Sequence, residues 1–113
     1  MTPKREAARI GALRPRLLIE EPVRTPDEGG GAEITWTPVA SVWAEIQPKS
    51  GREVFESDQL GGRITHDVRI RYRAGITPKM RITHRGRLFD IRHVASPDER
   101  REWLFCACEE TSE

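Results

Sequence analysis

Three histidines, two cysteines and several adjacent carboxylates are the residues that could do chemistry in this 113-residue chain, and their spacing argues against most of it. His66, His84 and His93 fall at no metal-motif spacing, so a shared site requires the fold to bring them together. Cys106 and Cys108 stand two apart on a predicted strand, where their side chains share a face but their backbones close no comfortable disulfide. With no further cysteine to complete a zinc set, both read as reduced core thiols. Glu20-Glu21 and Glu109-Glu110 are sequence neighbours, which in a strand point to opposite faces and rule out joint acid/base work on one substrate. No serine or cysteine has the context of a nucleophile elbow. Gly29, Gly30 and Gly31 precede strand-like residues and no Lys-Ser/Thr pair, so they form no phosphate cradle. The expectation is a protein that is not an enzyme and has no cofactor or metal site.

Charge is the remaining chemistry. The chain carries 19 Lys and Arg against 18 Asp and Glu, yet nine of the basic residues and only two acids fall between Arg63 and Val94. That segment is therefore +7 and the remainder −6, which points to a partner of opposite charge, either nucleic acid or a neighbouring subunit. The plainer reading is that the arginines keep a sheet edge soluble. A composition 36% hydrophobic and 33% charged is apolar-poor, so the core should be small and some order should come from partners. One domain over residues 1–113 is the expectation at this length. No apolar run approaches membrane-spanning length, and Met1-Thr2-Pro3-Lys4-Arg5 does not open a secretory signal, so synthesis in the cytosol is expected.

The elements that must position these charges are strands. Asp67 to Arg73 alternates strictly, with Val68, Ile70 and Tyr72 opposite Asp67, Arg69, Arg71 and Arg73. Lys79 to Thr83 resumes the alternation after a Gly- and Pro-bearing loop, and Phe89 and Ile91 supply a third apolar edge after a turn at His84-Arg85-Gly86-Arg87. The stretch from Thr65 to Val94 thus reads as three successive antiparallel strands sharing one core. Before it, Arg16 to Glu20 predicts a short strand that stops ahead of Pro22, and a long hairpin loop spans 24–33. Glu33 to Val39 and Val42 to Gln47 predict two more strands, with Trp43 on the face away from Val42, Ala44 and Ile46. The polar stretch 49–62, whose few apolar members are Val54, Phe55 and Leu60, is a long loop or a two-turn helix stopped by Gly61-Gly62. Residues 1–14 are an N-terminal arm or a short helix, neither stable alone, Glu102 to Glu109 a last strand apolar on both faces, and 109–113 an acidic tail.

Taken together, Ile10-Gly11-Ala12-Leu13-Arg14 with Arg16-Leu17-Leu18-Ile19, Asp27-Glu28-Gly29-Gly30-Gly31 before Trp36, and Val42-Trp43-Ala44-Glu45-Ile46-Gln47-Pro48 with Ser50-Gly51-Arg52-Glu53 resemble the head–tail joining proteins of long-tailed bacteriophages and phage-derived gene transfer particles. Thr65-His66 through Ile70-Arg71-Tyr72-Arg73, Gly75 to Arg81 and Gly86 to Ile91 continue the resemblance over nearly the whole chain. It implies an all-β fold, a small antiparallel β-barrel with long polar loops and at most one short helix. It further implies a ring, of six copies, in the head–tail connector. Such a ring sits between the portal and adaptor on the head side and the tail terminator or tail tube on the other, helps retain packaged double-stranded DNA, and docks the tail. The stopper (head-closure) layer is the reading taken; an adaptor or tail-terminator ring is the variant.

In that setting the candidate ring-contact or DNA-facing residues are Arg69, Arg71, Arg73, Arg81, Arg85 and Arg87. The candidate partner loops carry Gly29, Gly30 and Gly31, and Arg52, Val54 and Phe55. The rival from another class is a free nucleic-acid-binding barrel that stacks bases on Tyr72 and Phe89 beside the basic strands. Both aromatics, however, fall on the apolar side of their alternations.

Overall fold

The computed structural model describes residues 15–96, 100 and 102–111; the expected arm at 1–14, most of the turn at 97–101 and the end of the tail lie outside them. Six strands are described: β1 (Arg16–Pro26), β2 (Ala32–Pro48), β3 (His66–Arg71), β4 (Arg81–His84), β5 (Arg87–Ala95) and β6 (Trp103–Thr111), with one helix, α1 (Gly51–Gln59), between β2 and β3. Every pairing is antiparallel, and the order β1-β2-β3-β6-β5-β4 closes into a barrel. The all-β fold with a single short helix is the one expected.

Period-two alternation fills the interior. Leu17 and Ile19 from β1, Ala44 from β2, Val68 and Ile70 from β3, Ile82 from β4, Phe89 and Ile91 from β5, and Leu104, Cys106 and Cys108 from β6 all point inward and are buried, while Ile76 and Met80 cap the cluster from the β3–β4 connection. No described polar or charged residue is fully buried. Phe89 is the largest wholly buried side chain and touches the core from β5 with no exposed surface.

The sheet departs from the sequence reading in four places. The three strands between Thr65 and Val94 share one core but are not neighbours throughout: β3 pairs with β2 and β6, whereas β4 pairs with β5 and β1. Alternation reports which face is apolar and carries nothing about which strand lies alongside. Next, β1 does not stop before Pro22. It runs to Pro26 against β2, and the two predicted strands at 33–39 and 42–47 are one strand of 17 residues. Beyond Glu20 β1 pairs only with β2, so a proline there loses no ladder bond when its nitrogen faces the open edge. The predicted loop over 24–33 shrinks accordingly to 27–31. Finally, the tail is strand as far as Thr111, because Leu88, Phe89 and Asp90 of β5 pair with Thr111, Glu110 and Glu109.

A bulge lies where β1 and β2 leave the barrel: Ile19 faces Ala40 but Glu20 faces Pro38, leaving Val39 as the extra residue. From there the two strands continue as a two-stranded arm, and the molecule is 59 Å long but only 31 and 30 Å across. At the arm's tip the Asp27 carboxylate accepts hydrogen bonds from the Gly29 and Gly31 amides, both at 2.9 Å. Arg85 and Gly86 form the two-residue β4–β5 turn with φ of 50° and 81°, the pair of left-handed positions that a type I′ turn demands.

Two outcomes check this packing. Phe89→Ala should lower unfolding free energy by about 3–5 kcal/mol in a urea titration, the cost of emptying a filled aromatic site. Arg85→Asn should raise it by roughly 0.5–1 kcal/mol, since asparagine tolerates the left-handed conformation that a long side chain resists.

Candidate functional site

The arginines of the basic segment are mostly committed to neighbours on the barrel's outer surface. Arg69 pairs with Glu45 across β2 and β3 at 3.1 Å and places its guanidinium 4.4 Å from the centre of the Trp103 ring. Arg71, one outward position further along β3, lies 4.6 Å from the same ring, so Trp103 carries two guanidinium groups. Arg81 donates from Nε to Glu20 at 2.8 Å and sits 4.1 Å over Trp36. Arg87 holds Glu110 with two parallel hydrogen bonds, Nε at 2.8 Å and Nη2 at 2.9 Å. Arg73 and Arg85 are exposed, on the loop after β3 and at the β4–β5 turn. Each of the three tryptophans is covered by arginine, since Arg16 lies 4.7 Å over Trp43. Such stacking holds a weakly hydrated cation against an apolar face.

The six arginines therefore do not converge on one groove. Arg69 and Arg71 share a face with Trp43, Trp103 and Phe105 on β2, β3 and β6; Arg81 stands at the root of the arm, and Arg85 and Arg87 at the β4–β5 end. Tyr72 is half-buried against the core and Phe89 wholly buried, as their alternation predicts.

The segment around Phe55 folds as α1. Ser50 caps it, its hydroxyl accepting from the Glu53 amide at 3.2 Å while the Glu53 carboxylate accepts from the Ser50 amide at 3.1 Å, a reciprocal capping box. At the other end the Gly62 amide donates to Ser57 and the Gly61 amide to Asp58, the paired bonds of a Schellman stop, with Gly61 at φ +88°. Lys49 ties the helix start to β3 through Asp67 at 2.9 Å, and that bond raises the ammonium pKa. No residue of α1 is buried, so polar contacts hold it and not an apolar seam; Phe55 is 64% exposed and Leu60 beside it 89%. Val54 is half-buried, and Arg52 points to solvent with only Glu56 at 3.6 Å for company.

Sequence reading missed the arm, because its prolines look like strand breakers. The arm exposes Val23 and Ile34, and β6, apolar on both faces as its sequence shows, turns Phe105 outward. The signal available was the alternation from Glu33 to Trp36 continuing in phase across the turn onto Arg24, Pro22 and Glu20.

At one mouth of the barrel His66, Arg87 and Glu110 meet above Phe89. The His66 ring stands edge-on to Phe89 with centroids 5.2 Å apart, Nε2 lies 3.8 Å from the Glu110 carboxylate, and Nδ1 is 2.8 Å from the Thr65 hydroxyl. Burial lowers the imidazole pKa from its ordinary 6.5, against the raising pull of Glu110, and Arg87 lowers it further. The Arg87 hydrogen bonds hold the Glu110 carboxyl below its usual 4.5. Burial also pushes the Cys106 thiol up to about 12 and Cys108 higher still, which leaves both protonated and unreactive. Among the described residues no cluster of His, Cys, Asp or Glu has the form of a metal site.

The imidazole shift sets the sign of a pH effect. Below 6.5 the unfolded chain binds a proton that the folded His66 resists, so stability falls as the pH drops through the window from 6.5 down to the lowered value. The Glu110 contribution survives until the pH falls below 4.5. The urea midpoint of the wild type should therefore fall on moving from neutral pH to just above 5, and His66→Gln should flatten that part of the curve while leaving the steeper acid limb.

A closed barrel with an arm, an unburied helix and exposed aromatics is the geometry of a part made to be surrounded. The family model for the phage head completion protein matches residues 8–111. The solution structure of protein SF1141 from Shigella flexneri 2a is 31% identical with a TM-score of 0.71, covering 92% of this chain and 97% of that one. A chain of the virion of a native gene transfer agent particle is 26% identical with a TM-score of 0.59, covering 87% and 94%. No curated protein matches the chain. With the match running over nearly its whole length, the chain belongs to the phage head completion protein family and has a structural role in the head–tail connector of a phage or phage-like particle.

Proposed function

We propose that the protein forms the stopper layer of the connector: a ring, of six copies, that seats on the portal–adaptor assembly, retains the packaged double-stranded DNA and offers the platform on which the tail docks. One observation carries this reading. The barrel satisfies its own core, yet the arm leaves Ile34 in solvent, the barrel part of β2 Trp43, α1 and its C-cap Phe55 and Leu60, and the outer face of β6 Phe105. Single exposed apolar residues need no partner; exposed aromatics distributed over several sides suit a subunit that touches neighbours beside, above and below it.

The work is mechanical and not catalytic. An open groove between β1 and the β4–β5 turn holds Ser41, His84 and Arg85. Of its two hydroxyls, Ser41 and Thr83, Ser41 already accepts a hydrogen bond from Arg16 at 3.3 Å. Of the charged groups, Arg73 and Arg85 remain the best candidates for phosphate contact, being exposed at loop positions, while Arg69, Arg81 and Arg87 are held by carboxylates. The tip glycines and α1 are the candidate contacts to adjacent rings. A free nucleic-acid-binding barrel is disfavoured because Phe89, half of its stacking platform, is wholly inside the core.

Deleting the gene from the producing cell should yield filled heads that lack tails and lose DNA on storage, with normal numbers of separate tails. Cryo-electron microscopy of wild-type particles should show six copies of this barrel between portal and tail. Tailed, DNA-retaining particles from the deletion strain, or density for the chain elsewhere, would overturn the assignment.

A further inference from the structure

The arm presents two kinds of surface. On one face Pro22, Ile34 and Trp36 form an apolar strip, with Pro22 directly opposite Trp36 and Arg24 opposite Ile34. Asp27 and Glu28 stand at the tip beyond the strip and Glu21 and Glu33 on the opposite face; with the single base Arg24 they make the span 21–38 net −3. Both outer edges of the arm are unpaired, since β1 beyond Glu20 and β2 before Val42 bond only to each other. A two-stranded ribbon of this kind is marginal on its own and gains stability by docking.

A complementary surface exists on the same chain. The outer face of β2, β3 and β6 sets Trp43, 50% exposed, and Phe105, 37% exposed, among Arg16, Arg69 and Arg71. Of these cations only Arg69 has a carboxylate among the described residues, Glu45. The patch is cationic and aromatic; the arm offers it an apolar strip ending in an acidic tip. The arm cannot reach the patch of its own copy, because Ile34 and Trp43 lie on one continuous strand, about 30 Å apart at the rise of an extended chain. The only copy of the patch it can meet belongs to another molecule.

We propose that the β1–β2 arm of one copy lies across the outer β2–β3–β6 face of the next, its Pro22–Ile34–Trp36 strip against Trp43 and Phe105 and its acidic tip, with Asp27 and Glu28, toward Arg16 and Arg71. The contact joins two different surfaces, so it is head-to-tail, and such contacts propagate around a closed ring. This rests on the ring reading above and adds to it which surfaces meet.

Two substitutions at exposed positions test it without disturbing the core: Ile34→Asp on the arm and Arg71→Glu on the patch. Sedimentation of the purified full-length protein over micromolar to sub-millimolar concentrations should show the wild type self-associating. Each variant alone should associate at least about tenfold more weakly. Mixing the two variants should restore association but stop it at a dimer, because only one intact arm then faces one intact patch. Circular dichroism and urea midpoints matching wild type show that both variants fold. Association unchanged in either variant, mixing that restores nothing, or a wild type that stays monomeric throughout would overturn the arm-to-patch contact. So would loss of salt-dependent DNA retention in Arg71→Glu with association intact, which would give the patch to nucleic acid. Particle density decides the ring separately: a ring whose neighbours meet through other surfaces refutes this contact and leaves the connector role standing.

Discussion

Three residue pairs close the barrel. Leu18, Ile19 and Glu20 of β1 meet Thr83, Ile82 and Arg81 of β4, and without that seam the six strands would be an open sheet with two bare edges. The seam is short because β4 is only four residues long, and the structure reinforces it with side chains. Arg81 bonds Glu20 directly across the seam and lies flat on Trp36 from β2, so one guanidinium clamps three strands at the point where two of them leave the barrel. The bulge at Val39 acts at the same level. By inserting one residue it changes which residues of β2 face outward along the arm, which places Trp36 on the side where Glu20 and Arg81 stand. The closed core and the projecting arm are thus set by a single junction.

This junction explains which parts of the fold were legible in the sequence. Inward-facing residues could be read because burial imposes strict alternation: Val68, Ile70, Phe89, Cys106 and Cys108 are all where period two places them. The cap and stop of α1 could be read because Ser50, Glu53, Gly61 and Gly62 satisfy backbone groups locally, with no reference to the rest of the chain. Strand order could not be read, since β3 and β4 are successive in sequence yet stand on opposite sides of the barrel, and nothing in their alternation distinguishes pairing with each other from pairing with β6 and β5. The arm was hidden for a different reason. Proline disqualifies a strand only when both edges are bonded, and whether an edge is bonded is a property of the whole sheet.

The candidate site was legible in its residue types and not in its geometry. A segment carrying +7 reads as one electrostatic surface, but the acids that neutralise it come from elsewhere: Glu45 from β2, Glu20 from β1, and Glu109 and Glu110 from β6. The charge asymmetry along the chain is folded into cross-strand pairs, each antiparallel neighbour supplying the opposite sign. Among the described residues the folded chain therefore does not gather the basic segment into one broad basic face. Its remaining cations are those at strand ends and turns, where no neighbouring strand supplies an acid.

Arginine over tryptophan is the recurring solution on the outer surface. A bare tryptophan on a small barrel is a large apolar liability while the subunit is free, and a guanidinium covers it at little desolvation cost because it is itself weakly hydrated on its faces. The cover is reversible in a way that burial is not. A partner bringing carboxylates can take the edge of the guanidinium, with its five donors, while the flat faces stay on the ring. Arg71 is held by no carboxylate among the described residues and Arg16 has only its Nε engaged, by the Ser41 hydroxyl, whereas the Arg81 edge is already held by Glu20. The same pair of residue types thus does two jobs: at Arg81 and Trp36 it fixes the fold, and at Trp43 and Trp103 it covers an aromatic surface with a weakly hydrated cation.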